Sequence, residues 1–228
     1  MGASEIAENW RKVREQVPRA VEVVAVSKTK PMEAVVSAYG AGARSFGENR
    51  VQELVGKHEA LTAEPSPRAS EFRDLRWHQI GTLQKNKVKY IAPFVGLIHA
   101  VDQEALLEEI NKRAAKHQRK IAVLLQLHIA QEASKFGLSA DGLSSILERL
   151  TAGQWPHVEV KGLMGMATFT SDTAQVGREF RTLRQLYDRH AADRHWDTLS
   201  MGMSGDWRIA VEEGSTMVRI GSAIFGAR

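Results

Sequence analysis

Eight short β-prone runs, each followed by a stretch with helical spacing, limit what this chain can fold into more than any other feature. An opening helical stretch over residues 5–16 precedes the first run, Val21-Glu22-Val23-Val24-Ala25-Val26-Ser27. Pro31 then starts a helix with Met32, Val35, Val36 and Tyr39 at helical spacing and Gly40 and Gly42 beyond it. The second run, 45–47, leads into a helix over 50–61, and 62–74 reads as a surface loop. Runs three and four, 76–80 and 95–99, are followed by helices near 85–91 and 103–117. Run five, 121–129, is almost unbroken in apolar residues, as expected of a parallel strand covered on both faces. A helix near 140–150 precedes run six (158–164), a long helix at 175–191 precedes run seven (198–200), and 208–213 precedes run eight (217–220).

Eight such steps in 228 residues predict an α/β fold: one (β/α)8 TIM barrel over residues 1–228 with an extra amino-terminal helix. The competing architecture is a doubly wound open sheet. It typically uses fewer strands and often a glycine-rich first turn, and no G-x-G-x-x-G follows the first run here.

Composition removes several function classes. The chain has no cysteine, which excludes disulfides, thiolate catalysis and Cys-ligated metals. Its net charge of +4 is a mild excess, and the basic residues are scattered rather than clustered with aromatic platforms, so no nucleic-acid partner is expected. No apolar run reaches the roughly 18 residues of a membrane span, and residues 1–19 lack the apolar centre of a signal peptide. The expectation is a cytoplasmic protein without a membrane.

A barrel concentrates chemistry where strands end and βα loops begin. Those positions hold Lys28, Asn49, His78, Met164, residues 200–204 and residues 219–222. The two late loops, Ser200-Met201-Gly202-Met203-Ser204-Gly205-Asp206 and Arg219-Ile220-Gly221-Ser222, combine glycines, hydroxyls and helix starts. Barrels often bind phosphate there, because glycine lets backbone N–H groups approach an oxyanion and the helix end adds partial positive charge. Each loop alone could equally be a turn with Ser204 as an N-cap. Lys28 sits where an apolar strand runs out, so its amine should tend toward the neutral, nucleophilic form; a snorkelling strand-end lysine is the plainer alternative. Lys30 shares its parity but lies beyond the apolar run, against Pro31. Strands one and eight are neighbours in a closed barrel, so Lys28 and the two loops converge. An amine facing a phosphate cradle suggests a phosphorylated aldehyde, and pyridoxal 5'-phosphate (PLP) fits.

The sequence also resembles the PLP homeostasis protein family along nearly its whole length. The matching stretches include Ala25-Val26-Ser27-Lys28-Thr29-Lys30-Pro31, Phe46-Gly47-Glu48-Asn49, Trp77-His78-Gln79-Ile80-Gly81, Leu199-Ser200-Met201-Gly202-Met203-Ser204 and Met217-Val218-Arg219-Ile220-Gly221. The resemblance implies a fold-type III PLP barrel similar to the amino-terminal domain of alanine racemases. It implies Lys28 as the imine lysine, Ser204, Gly221 and Ser222 on the phosphate with Ser200 nearby, Arg219 at the pyridine nitrogen, and Asn49 and His78 close to the cofactor. It also implies intracellular PLP homeostasis, as a carrier or buffer of vitamin B6, with PLP-dependent apo-enzymes as recipients. Three positions depart from the family pattern: His128, in a motif continued by Glu132, Lys135 and Gly137, stands where Asn is common, Gln79 where an apolar residue is, and Ser222 where Thr is.

A PLP racemase or lyase with weak activity is the alternative. It needs a second acid/base group, usually a tyrosine, and the three tyrosines Tyr39, Tyr90 and Tyr187 all fall on predicted helices. The chain ends at Arg228 just after the barrel, so no racemase-type second domain and a monomer are expected. A phosphate-binding barrel that forms no imine, such as a sugar-phosphate isomerase, is a further alternative. Strand-end His78 and His99 read as partnered structural histidines, and no metal site is expected.

Overall fold

Every strand of the chain pairs in parallel with its sequence neighbour, and the last pairs with the first. The structure, a computed structural model, describes residues 2–64, 68–131 and 136–227. The strands are β1 (Glu22–Val26), β2 (Ser45–Glu48), β3 (Arg76–Gln79), β4 (Leu97–Val101), β5 (Ile121–Gln126), β6 (Val158–Met164), β7 (Thr198–Met203) and β8 (Met217–Ile220). The β1–β8 seam sets Val24 opposite Arg219 and Ala25 opposite Ile220. This is a closed eight-stranded barrel, so the open-sheet alternative falls away.

Strand alternation divides the apolar residues into two sets. Val24, Leu97, Ala100, Leu124, Met164 and Met217 pack together inside the barrel. Val23, Ala25, Phe46, Trp77, Val123, Leu163 and Val218 face outward into the larger core shared with the helices. Those helices are α1 (Ala3–Gln16), α2 (Met32–Gly40), α3 (Val51–Leu61), α4 (Val88–Ile91, entered by a 3-10 turn at Lys85–Lys87), α5 (Glu104–Lys116), α6 (Ala140–Thr151), α7 (Thr173–Arg194), α8 (Trp207–Glu212) and α9 (Ser222–Phe225). Side-chain caps start two of them: Ser139 accepts from the Gly142 N–H on α6, and Asp172 from the Gln175 N–H on α7. The extra helix α1 buries Ile6, Trp10 and Val13 from one face, and packs beside α2 and the short α9. None of the helices in the described residues is long and apolar enough to cross a membrane.

Four strand boundaries differ from the sequence expectation by two residues or more. The fourth strand starts at Leu97 rather than residue 95, because the Val95 N–H is spent on the Ile91 carbonyl at the end of α4. Its end moves to Val101, which places His99 inside the strand rather than at its end. The fifth strand stops at Gln126 instead of residue 129, since Leu127 and His128 turn to pair with Leu138. The seventh continues past Ser200 to Met203, so Met201 and Gly202 are strand rather than loop.

Gly162 in β6 marks where the β5–β6 pairing slips by one residue. Its φ is +150°, and a Cβ there would lie 1.8 Å from the Thr198 carbonyl oxygen of β7. A side chain can be accommodated only if the backbone of a central strand moves. Gly162→Ala is therefore expected to lower stability by about 2 kcal/mol or more, read as a drop in the urea midpoint at unchanged slope. A midpoint matching the parent's would show that the strand tolerates a Cβ.

Candidate functional site

The carboxyl ends of the strands open into a cavity of about 690 Å³, within the size range of small-molecule sites. Val26, Ile80, Ala100 and Met164 give it apolar walls. Six residues expected at a cofactor site line it: Lys28, Asn49, Ser204, Arg219, Gly221 and Ser222. Lys28 shares the parity of inward-facing Val24 and Val26, which carries it to the mouth of the barrel rather than out to the helices. Lys30 also reaches the cavity, but its ammonium donates to the Ala227 carbonyl at 3.0 Å.

The late loops meet. The Gly221 N–H donates to Ser204 Oγ at 3.0 Å, joining the segment after β7 to the start of α9. The first amide groups of α9 have no intrahelical acceptor, so this corner presents N–H groups and hydroxyls together. Gly202 makes the approach possible: its φ is +97°, and a Cβ there would sit 2.6 Å from Ala210 on α8. The Asp206 carboxylate accepts from the Met203 N–H and braces the turn, and burial raises its pKa above the ordinary carboxylate value.

Beneath the cavity a directed chain of hydrogen bonds crosses the barrel interior. Arg219 donates to Ser200 Oγ at 2.6 Å, to the Ser200 carbonyl at 2.9 Å and to the Gly165 carbonyl at 3.1 Å. Ser200 Oγ lies 3.3 Å from His99 Nδ1, and His99 Nε2 lies 3.1 Å from His78 Nδ1. A guanidinium can only donate, so Ser200 Oγ accepts from Arg219; an arrangement in which Ser200 donates to His99 Nδ1 and His99 Nε2 donates to His78 Nδ1 then satisfies all three groups. The assignment requires both rings neutral. Burial agrees: it pushes His78 down to about 4, His99 well below its ordinary value, and Arg219 to about 10.

The family comparison agrees with this geometry. The alanine racemase N-terminal domain family matches residues 3–228. The pyridoxal phosphate homeostasis protein of Vibrio alginolyticus is 39% identical over 216 residues, which cover 93% of this chain and 89% of that protein. The chain belongs to the pyridoxal phosphate homeostasis protein family. The solved structure of PipY from Synechococcus elongatus with PLP bound superposes with a TM-score of 0.85 at 36% identity, covering 97% of this chain and all of that one. Alanine racemase from Bartonella henselae shares the fold alone, with a TM-score of 0.74 and 17% identity; this chain spans 60% of its length.

Not every family-motif residue reaches the cavity. His78 and Ser200, expected near the cofactor, lie below its floor as buried members of the chain under Arg219. Of the three departures, Gln79 faces the helix layer and ties two cavity loops together, donating from Nε2 to the Asn49 carbonyl at 2.9 Å and to the Gly81 carbonyl at 3.2 Å. Ser222 keeps a hydroxyl in the cradle. His128 bonds through its backbone to Leu138, while Glu132 and Lys135 of the same motif lie outside the described residues. Gln84, Asn86 and Lys87 form or precede the 3-10 turn and do not line the cavity. Tyr39, Tyr90 and Tyr187 do not line it either. Among the described residues no group of three or more His, Cys, Asp or Glu could hold a metal.

Sequence reasoning missed the buried cluster of Glu48, Lys57 and Glu53 behind Lys28, although the Glu53–Lys57 spacing of one helical turn was visible. It also missed the role of His99. The only sequence signal for that was a histidine within an apolar run.

The neutral histidines set a pH dependence. Unfolded, each binds a proton below about pH 6.5; folded, each resists until far lower pH. The unfolded state thus gains protons first, and stability falls as pH drops from about 6.5 toward 4, by up to about 1.4 kcal/mol per pH unit for each histidine. Urea titrations at pH 7 and pH 5 should show this loss. The double variant His78→Leu, His99→Leu should show a shallower one, His58, held near 4 by burial, keeping its own share. Equal pH slopes in the two proteins would contradict neutral burial of the pair.

Proposed function

We propose that this protein binds PLP at Lys28 and acts in the cytoplasm as a carrier and buffer of the cofactor, handing it to PLP-dependent apo-enzymes. The observation that carries the reading is the placement of Lys28 in one cavity with the Ser204–Gly221 corner. When bound, PLP supplies an aldehyde that condenses with a primary amine, forming one carbon–nitrogen double bond and releasing one water.

The chain's own residues have distinct tasks in this reading. Ser204, Ser222 and the amide groups beside Gly221 hold the phosphate. Arg219, pinned by Ser200 and the Gly165 carbonyl, presents a permanent donor to the pyridine nitrogen and leaves that nitrogen without a proton of its own. A ring so held draws electrons weakly, which favours storage over carbanion chemistry. The family relationship and the PLP-bound relative PipY point the same way.

Borohydride reduction of the PLP-loaded protein followed by peptide mapping should find a pyridoxyl mass on Lys28. Lys28→Ala should lose both the label and the visible absorption band while retaining weak, phosphate-dependent binding. A label chiefly on Lys30 would sink the assignment. So would steady exchange of the α-proton of amino acids that Lys28→Ala abolishes, since that would make the protein an enzyme.

A further inference from the structure

Both peptide groups that flank Lys28 are held by charged side chains of α3. On one side, Lys57 Nζ donates to the Ser27 carbonyl at 2.9 Å. On the other, the Thr29 N–H donates to Glu53 Oε1 at 2.7 Å. The Lys30 N–H returns to the Ser27 carbonyl at 3.0 Å and closes the turn. The two clamps are themselves joined: the Lys57 ammonium bonds Glu48 Oε1 at 2.7 Å and Glu53 Oε1 at 2.8 Å. Ser27 Oγ adds a bond to Glu48 Oε1 at 2.6 Å.

Stability does not account for such a cluster. Glu48 is fully buried, the Lys57 side chain is 8% exposed, and Glu48 Oε2 has no hydrogen-bond partner among the described residues. Burying a carboxylate with one oxygen unpaired is unfavourable, and apolar residues of similar volume often stabilise a core as well or better. The turn the cluster grips is strained. Thr29 has φ +64°, a left-handed conformation that a β-branched residue avoids. Released from α3, that turn would relax and redirect the side chain it carries. Neither Glu48, Glu53 nor Lys57 lines the cavity, so any effect on a ligand must pass through Lys28 or its neighbours.

We infer that Lys57, bridging Glu48 and Glu53, is a positioning residue for Lys28: together with Glu53 it fixes the backbone on both sides of that lysine, so that its amine meets an aldehyde seated on the Ser204–Gly221 corner. The inference rests on Lys28 being the bonding lysine, as proposed above. Its test therefore separates bonding from seating.

Pyridoxamine 5'-phosphate has the same phosphate and ring as PLP but an amine in place of the aldehyde, so it reads seating alone. Lys57→Met should weaken binding of PLP about tenfold or more, the worth of a charged hydrogen bond, and leave the affinity for pyridoxamine 5'-phosphate within about twofold. The visible band should diminish in parallel. In a Lys28→Ala background the Lys57 substitution should have no further effect on PLP affinity. Glu53→Gln, which keeps an acceptor for the Thr29 N–H, should be milder than Glu53→Ala. If Lys57→Met fails to fold, the pair Lys57→Met, Glu48→Gln removes the stranded carboxylate and serves in its place. Equal loss of both ligands would make the cluster merely structural and overturn the inference, as would no loss of either. Borohydride labelling of the parent keeps the two claims apart: a parent unlabelled at Lys28 defeats the assignment and the inference together, whereas a labelled parent with unchanged variants defeats the inference alone.

Discussion

The β1–β8 seam brings the two ends of the chain together at one place. Lys28 follows β1 and the Gly221–Ser222 corner follows β8, nearly two hundred residues apart in sequence; they share a cavity because Val24 lies opposite Arg219 across four paired positions. An open sheet with the same strands would leave Lys28 and the Gly221–Ser222 corner at opposite edges. Closure is thus a requirement of the site as well as of the fold, and it is enforced by the two-sided apolar pattern of the strands. Val24 and Met217 pack inside, while Val23 and Val218 pack outside, so neither face of the seam can be left in water without exposing apolar surface.

Polar groups in the barrel interior follow a consistent logic. Arg219 is buried except where it meets the cavity and would be untenable alone, yet it donates to two carbonyls and one hydroxyl, and that hydroxyl in turn meets a neutral histidine pair. The same principle governs the layer between the sheet and α3, where Lys57 is shared by two carboxylates and a carbonyl. One polar network fixes a guanidinium from below; the other fixes a lysine-bearing turn from behind. Both act on groups at the cavity while staying out of it.

How far the sequence could be read depended on whether a feature is local. The eight strands were legible because apolar alternation and turn residues are short-range signals, and Lys28 stood out as the lysine that ends the first apolar strand. The strand ends were less so. Whether Val95 belongs to a strand depends on the Ile91 carbonyl claiming its N–H, and whether β7 stops at Ser200 depends on Gly202 fitting against Ala210. His78 and Ser200 were expected near a cofactor, but they do not line the cavity, and their depth depends on residues from β4 and β8.

Taken alone, the order of residues determined the (β/α)8 plan, the place of a lysine at the end of the first strand, and the two small-residue loops that could hold an anion. Those follow from periodicity, strand parity and the backbone freedom of glycine, all properties of neighbouring residues. Only the tertiary structure decided which polar groups meet: that Arg219 leans on Ser200 and two histidines, that Gln79 ties Asn49 to Gly81, and that α3 grips the turn around Lys28. A hydrogen bond needs its partners within about 3 Å, and residues brought that close by a closing barrel carry no mark of it in their spacing along the chain.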